Sequence, residues 1–336
     1  MRAQRLPSGA YRYRVYYYVG DQRRCKSFTD KDRETAKRAA EEFLFQKRRR
    51  VVSSGTVASM IDAYISAREP QLSPATVVGY RNIERRVREE FPAIFEASAH
   101  TLERSDIQHV INALTASGAS PKTVRNVSAI LVGSLAENGI VIGPLALPAK
   151  RARNVSVPSE DEVRQLLAAA SGSIVEIPVM LGAFAGLRRG EVCALRMEDV
   201  DLDRNIVHVC RDVVMGPGGE WIEKHPKTVA SDRFVELPPF VSDRIRARGT
   251  IYDENPRMLS YRFRRLCEST LSVKYRFHDL RHFCASFLHA NGIPDAYIMQ
   301  RCGWENDAVL KAVYRHTMAD QDKRFVQVAN NLFSRF

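Results

Sequence analysis

Between residues 11 and 19 polar and apolar positions alternate, Tyr11-Arg12-Tyr13-Arg14-Val15-Tyr16, and the run continues through Tyr17-Tyr18-Val19 to a turn at Gly20-Asp21. Arg23, Arg24, Cys25, Lys26, Ser27 and Phe28 follow. A period of two puts successive side chains on opposite faces of a strand, so this stretch predicts a hairpin or a three-stranded sheet. Thr29 stands where an N-cap is expected, ahead of a charged segment, 32–50, in which Ala36, Ala39, Ala40, Phe43 and Leu44 recur at helical spacing. One face of that helix should pack on the sheet and leave a sheet face carrying Arg and Tyr together, as in strand modules that read a DNA groove. Core packing alone also accounts for a Tyr-rich strand, so the tyrosines do not decide between the two.

From 56 to 147 the pattern turns helical. Ser73-Pro74-Ala75-Thr76-Val77 and Ser120-Pro121-Lys122-Thr123-Val124 repeat one start signal, with Ser as N-cap and Pro at the first helical position. With 56–67 and 103–116 added, four or more helices make a compact domain. The stretch 143–153 is proline-rich and basic without periodicity and reads as a linker. Ser159-Glu160-Asp161-Glu162 then opens a last domain with a capping box. Helices are expected to about residue 195, short strands at 206–215, 221–223 and 234–237, and helices again to the end. The fold class is therefore multidomain and mainly α. A small N-terminal sheet plus helix (1–50) is followed by a helical domain (51–149) and a mostly helical domain with a small antiparallel sheet (150–336).

Charge changes this picture more than composition does. Hydrophobic residues make up 45% and charged residues 27% of the 336, ordinary for a folded chain. The longest weakly charged apolar stretch, 174–187, includes Glu176 and Pro178 and falls short of a bilayer span. Arg2, Arg5, Arg12 and Arg14 stand where a secretory signal would have an apolar core, so a cytoplasmic protein is expected. Cys25, Cys193, Cys210, Cys267, Cys284 and Cys302 show no C-x-x-C pairing, and neither disulfides nor a zinc site is expected. The net charge is +12, and residues 1–50 alone hold 15 basic and 6 acidic side chains. Such a block binds phosphate backbones through counterion release, which makes nucleic acid the leading partner class.

Several polar positions of the last domain are weak signals singly and specific in their order. They are Ala185-Gly186-Leu187-Arg188-Arg189-Gly190-Glu191, Pro226-Lys227-Thr228, His278-x-x-Arg281, Gly303-Trp304 and Tyr314-Arg315-His316. This order resembles the tyrosine recombinases, the phage integrase family, and the likeness covers nearly the whole chain. The first fifty residues look like the arm-type DNA-binding domain of phage and conjugative-element integrases, and 51–149 like the family's core-binding domain.

The resemblance implies a recombinase that cuts and rejoins DNA through a 3′-phosphotyrosyl intermediate, with no cofactor and no metal. Arg188 and Arg281 would neutralise charge on the non-bridging phosphate oxygens, because guanidiniums are planar and permanently charged. Tyr314 would be the nucleophile. Lys227 would protonate the leaving 5′ oxygen, and His278, one turn before Arg281, would exchange a proton with the phenol. Trp304 stands where the family most often has His; an indole N–H donates a hydrogen bond but accepts no proton. Ala185 replaces a usual Thr, and Arg301-Cys302 a more apolar pair. Glu191 matches the family's acidic residue after the first arginine, and a plain helix ion pair is the other reading of it. Lys224 competes with Lys227, while Tyr261, Tyr275 and Tyr297 are rival phenols that core packing explains better.

Implied partners are double-stranded DNA attachment sites and three further copies of the chain in a homotetramer. An excision factor and a host DNA-bending protein are further candidates, and the setting is the bacterial cytoplasm, on the nucleoid, with no membrane. The apolar spacing of Phe325, Val326, Val328, Ala329, Leu332 and Phe333 predicts an amphipathic last helix for docking on a neighbouring protomer or on its own domain. A type IB topoisomerase-like enzyme and a DNA-binding protein without catalysis are the alternatives.

Overall fold

The computed structural model describes residues 3–19, 22–49, 55–150, 156–225, 229–305 and 307. The chain divides into two compact units, Met1–Arg151 and Ala152–Phe336. Among the described residues, no helix is long and apolar enough to cross a membrane.

In the first unit, β1 (Ala3–Arg5), β2 (Tyr11–Val19) and β3 (Gln22–Asp30) form an antiparallel sheet in that order. Alternation assigns the faces. Tyr13 and Val15 are buried against Ala36 and Ala40 of α1 (Arg33–Arg49), with Phe28 and Phe43 beside them, while Arg14 and Tyr16 are exposed. The tyrosines thus divide between core and surface. The helix also starts three residues later than Thr29 predicts. Thr29 pairs with Arg12 inside the sheet, and the cap is Asp32, whose Oδ2 accepts from the Thr35 N–H (2.9 Å) and hydroxyl (2.6 Å). The strand register claims the threonine, and a carboxylate is favoured at the positive end of the helix dipole.

The same unit contains α2 (Val57–Arg68), α3 (Pro74–Glu90), the single turn α4 (Pro92–Phe95), α5 (Arg104–Ala116) and α6 (Pro121–Glu137). Ile61, Ile65, Ile107, Leu131 and Leu135 lie at its centre. The expected linker has no regular structure through residue 150, yet Ile140, Ile142, Leu145 and Leu147 pack against this core. Its carbonyls at Pro144, Ala146 and Pro148 accept from Arg104, Gln108 and Arg125. An extended strap has no internal hydrogen bonds, so it satisfies its backbone through these side chains.

In the second unit, α7 (Glu160–Ala170) carries the expected capping box: the Ser159 N–H donates to Glu162 Oε2 (2.8 Å) and the Glu162 N–H to Ser159 Oγ (3.2 Å). The apolar segment becomes α8 (Glu176–Phe184), buried on every side but its last residue, as a helix without a polar face must be. Around it pack α7, α10 (Pro239–Arg248) and α12 (Phe277–Ala290), while α9 (Arg189–Ala194) and α11 (Pro256–Thr270) lie beside them.

The strands make two sheets where one was expected. The chain breaks at Cys210-Arg211, so that β4 (Val200–Asp201), β5 (Ile206–Val209) and β8 (Arg233–Glu236) form one sheet. The pair β6 (Asp212–Met215) and β7 (Trp221–Lys224) forms the other. Arg211 is held at the break by Asp199 and Glu223. The last described helix is α13 (Asp295–Cys302).

The two Ser-Pro helix starts separate a motif from its geometry. Ser120 Oγ accepts from the Thr123 N–H at 3.1 Å, whereas Ser73 makes no side-chain bond to its helix backbone and meets only the Thr76 hydroxyl. Urea unfolding should therefore show Ser120→Ala costing about 1 kcal/mol and Ser73→Ala only a small fraction of that.

Candidate active site

The site begins where α8 ends. Gly186 has φ +66°, and a Cβ there would lie 2.9 Å from Cys302 Sγ, so the turn needs glycine on conformational and steric grounds alike. The turn delivers Arg188 to the N-cap of α9. Its N–H donates to Glu191 Oε2 and its Nη1 to Glu191 Oε1, both at 2.7 Å, and its Nη2 donates to the Gly303 carbonyl at 2.8 Å. The side chain stays one-third exposed.

Arg281 comes from α12 and is fully buried. Its Nη1 donates to the Gly186 carbonyl at 2.6 Å, and its guanidinium carbon lies 5.1 Å from the Trp304 ring centroid. Its Nε and Nη2 have no hydrogen-bond partner among the described residues. A permanent charge with two open N–H groups in the interior is costly unless an anion meets it.

Gly303, at φ +62°, ends α13, and a Cβ there would lie 2.9 Å from both the Ala230 carbonyl and Arg233 Nη1. That close approach holds the next residue, Trp304, under Arg281. The contacts close a ring: Arg188 binds Gly303, Trp304 meets Arg281, and Arg281 binds Gly186, two residues before Arg188.

One residue of the site, Arg233, was given no role by sequence, and Arg301 was marked only as a departure from the family pattern. Arg233 is buried and grips Glu191 with Nη1 and Nη2 (3.2 and 3.0 Å), while its Nε donates to the Arg301 carbonyl at 2.9 Å. Arg301 in turn donates from Nε and Nη2 to the Phe184 carbonyl, latching α13 to the end of α8. Strand alternation around buried Val235 carries a signal for Arg233, since it turns Arg233 inward and leaves Phe234 68% exposed. Ala185 and Cys302, two of the departures from the family pattern, are fully buried, so small side chains fill that corner.

Burial alone would raise the Glu191 carboxyl, but Arg233, Arg281 and Arg188 outweigh it and hold the carboxyl at about 2. Burial, then repulsion from Arg188, pushes the Arg281 guanidinium down to about 10, still charged at neutral pH. Desolvation, then the His282 ring at 4.7 Å and the Arg281 charge, pushes the His278 imidazole down towards about 4. His278 keeps solvent contact, so the cationic neighbours fix the direction more firmly than burial does.

The structure thus brings Arg188, Arg281 and Trp304 together, with His278 within the field of both arginines. Lys227 and Tyr314 lie outside the described residues, as does the expected last helix. Of their rivals, Lys224 is paired with Asp212 at 3.4 Å. Tyr275 is buried with its hydroxyl donating to Glu162, and Tyr261 and Tyr297 are about half exposed.

Comparison with known proteins gives this arrangement a family. The profile described as "Phage integrase family" matches residues 242–321. A "Tyrosine recombinase XerC-like" protein of Caldanaerobacter subterraneus subsp. tengcongensis is 25% identical over 309 residues, covering 77% of this chain and 78% of its own. These likenesses support a tyrosine recombinase. Among solved structures, the Tn1549 transposon integrase in complex with transposon right end DNA shares the fold of the recombinase. The TM-score is 0.64 at 16% identity, over 81% of this chain and 99% of that one. A lambda integrase tetramer bound to a Holliday junction matches with TM-score 0.57 at 18% identity, over 93% and 94% of the two chains.

Because both arginines repel a proton on His278, its ring should be neutral in the free recombinase at pH 7. Its NMR titration should fall far below the ordinary value of about 6.5, near 4. With the folded value lowered, the unfolded chain binds the proton first. This group therefore subtracts stability as pH falls through that window.

Proposed function

We propose that the protein is a site-specific DNA recombinase of the integrase type, cleaving and rejoining strands through a 3′-phosphotyrosyl intermediate to integrate or excise a mobile element. The observation that carries this reading is the buried Arg281, whose Nε and Nη2 meet no hydrogen-bond partner among the described residues, tied through Gly186, Trp304 and Gly303 to a second, part-exposed arginine, Arg188. Two fixed guanidiniums converging on one place suit a phosphodiester whose non-bridging oxygens gain charge during in-line attack. The Trp304 indole N–H supports the same charge, and the neutral His278 ring is fit to accept the phenol proton. Tyr314 attacks phosphorus, the bond to the 5′ oxygen breaks, and Lys227 supplies the proton that this oxygen needs. In this reading the cationic side chains do the electrostatic work, without metal or nucleotide cofactor.

The partner is double-stranded DNA at attachment sites, engaged by a homotetramer in the bacterial cytoplasm, on the nucleoid; an excision factor and a host bending protein join where direction requires them. The solved Tn1549 and lambda integrases, both bound to DNA, support the partner class. In the N-terminal domain, Arg14 and Tyr16 stand on the sheet face opposite the α1 core, which suits contact with a second DNA site.

Tyr314→Phe should retain DNA binding and form no covalent adduct on a nicked suicide substrate, as read by denaturing electrophoresis; an adduct with the Phe variant would remove Tyr314 from its role. Lys227→Ala should lose cleavage of normal DNA and regain it on a substrate with a 5′-bridging sulfur, whose leaving group needs no proton. Arg188→Ala should not recover on that substrate, and equal failure of both variants would take the general-acid role away from Lys227.

A further inference from the structure

We propose that Arg233 is a positioning residue that keeps the charge of Arg188 available to DNA by serving as the counter-ion of Glu191. The inference rests on the recombinase reading and concerns a residue outside the sequence signature. Glu191 is 4% exposed and lies between two guanidiniums that differ in access, Arg188 at 33% and Arg233 at 4%. Arg188 holds this carboxylate through its backbone N–H and Nη1 and reaches the Gly303 carbonyl with Nη2. Arg233 holds it from the inner side with two N–H groups and is itself anchored to the carbonyls of Arg301 and Ser231.

The three side chains together carry one net positive charge. Remove Arg233, and Arg188 with Glu191 sum to zero. The buried carboxylate then takes Arg188 as its sole direct ion-pair partner, and the field at the phosphate falls although no group touching the phosphate has changed. The same residue spans three pieces of the site. It sits on β8, grips the carboxylate at the start of α9, and caps the end of α13 where Gly303 approaches its guanidinium. A lysine lacks the fork needed for the two carboxylate contacts and the two carbonyl contacts at once.

The test measures covalent adduct formation on a nicked core-site duplex in single turnover, with DNA affinity and thermal melting recorded for each variant. Wild-type protein must form the adduct; its failure would overturn the recombinase reading and this inference with it, whereas the ratios among variants judge Arg233 alone. Arg233→Met should slow cleavage by about a hundredfold, the scale of losing one preorganised charge contact, with DNA affinity within about threefold of wild type. The second substitution Glu191→Gln, added to Arg233→Met, should restore cleavage to within about tenfold of wild type, because a neutral amide no longer claims the Arg188 charge. The double variant removes the buried carboxylate together with its buried counter-ion, so it tests the idea even where the single variant misfolds. On DNA with a neutral methylphosphonate at the scissile position, the deficit of Arg233→Met should shrink at least tenfold. If the folded double variant stays as slow as Arg188→Ala, or the deficit is equal on charged and neutral DNA, Arg233 is only a structural strut and the proposal fails.

Discussion

The second unit is organised around one electrostatic problem: three arginines, Arg188, Arg233 and Arg281, converge on the buried carboxylate of Glu191. Like charges at this separation repel, and burial raises the cost for each. The protein meets the cost unequally. Arg233 makes four acceptor contacts that occupy each of its nitrogens, Arg188 is paired but one-third exposed, and Arg281 has one carbonyl, with Nε and Nη2 open among the described residues. The residual positive potential therefore gathers at Arg281 and at the outer edge of Arg188, which is where an anionic ligand lowers the energy most.

The surrounding fold serves this arrangement. Arg281 rides on α12, one of whose faces is built into the apolar core with α8, so its guanidinium position follows from the packing of Leu280 and Phe277 against Gly182. Arg188 is set by a glycine turn at the end of the same α8. Arg301 ties α13 back to the Phe184 carbonyl, and so the tryptophan that follows α13 is referenced to α8 as well. A single apolar helix thus positions Arg188, Arg281 and the indole. The proposed chemistry would need that rigidity, since a displacement of about an ångström at a reacting phosphate weakens in-line geometry steeply.

The first unit follows a different logic. Its helical part closes on an aliphatic core and is finished by an extended strap held by Arg104, Gln108 and Arg125, polar side chains spent on backbone carbonyls. The N-terminal sheet has a small core of Tyr13, Val15, Ala36 and Ala40 and places polar residues outward. A thin core against one helix leaves a broad charged face, which suits binding to a long polyanion better than enclosing a small molecule.

The sequence by itself determined the mainly helical, multidomain class, the Ser120 and Ser159 caps and the resemblance to the tyrosine recombinases, because these depend on local periodicity and on residues with distinctive chemistry in a fixed order. It also marked Arg188, His278, Arg281 and Trp304, although their spacing says nothing of distance across more than a hundred residues. Only the tertiary structure decided that Asp32 rather than Thr29 caps α1, since a strand register set by a partner strand had already claimed the threonine. Only the structure divided the strands into two sheets, through the hold of Asp199 and Glu223 on Arg211. And only the structure brought out Arg233, an ordinary arginine in a basic chain, whose weight comes from burial. A charge gains its meaning from what surrounds it in space, and that depends on which strand face turns inward and which helix end lies across from it.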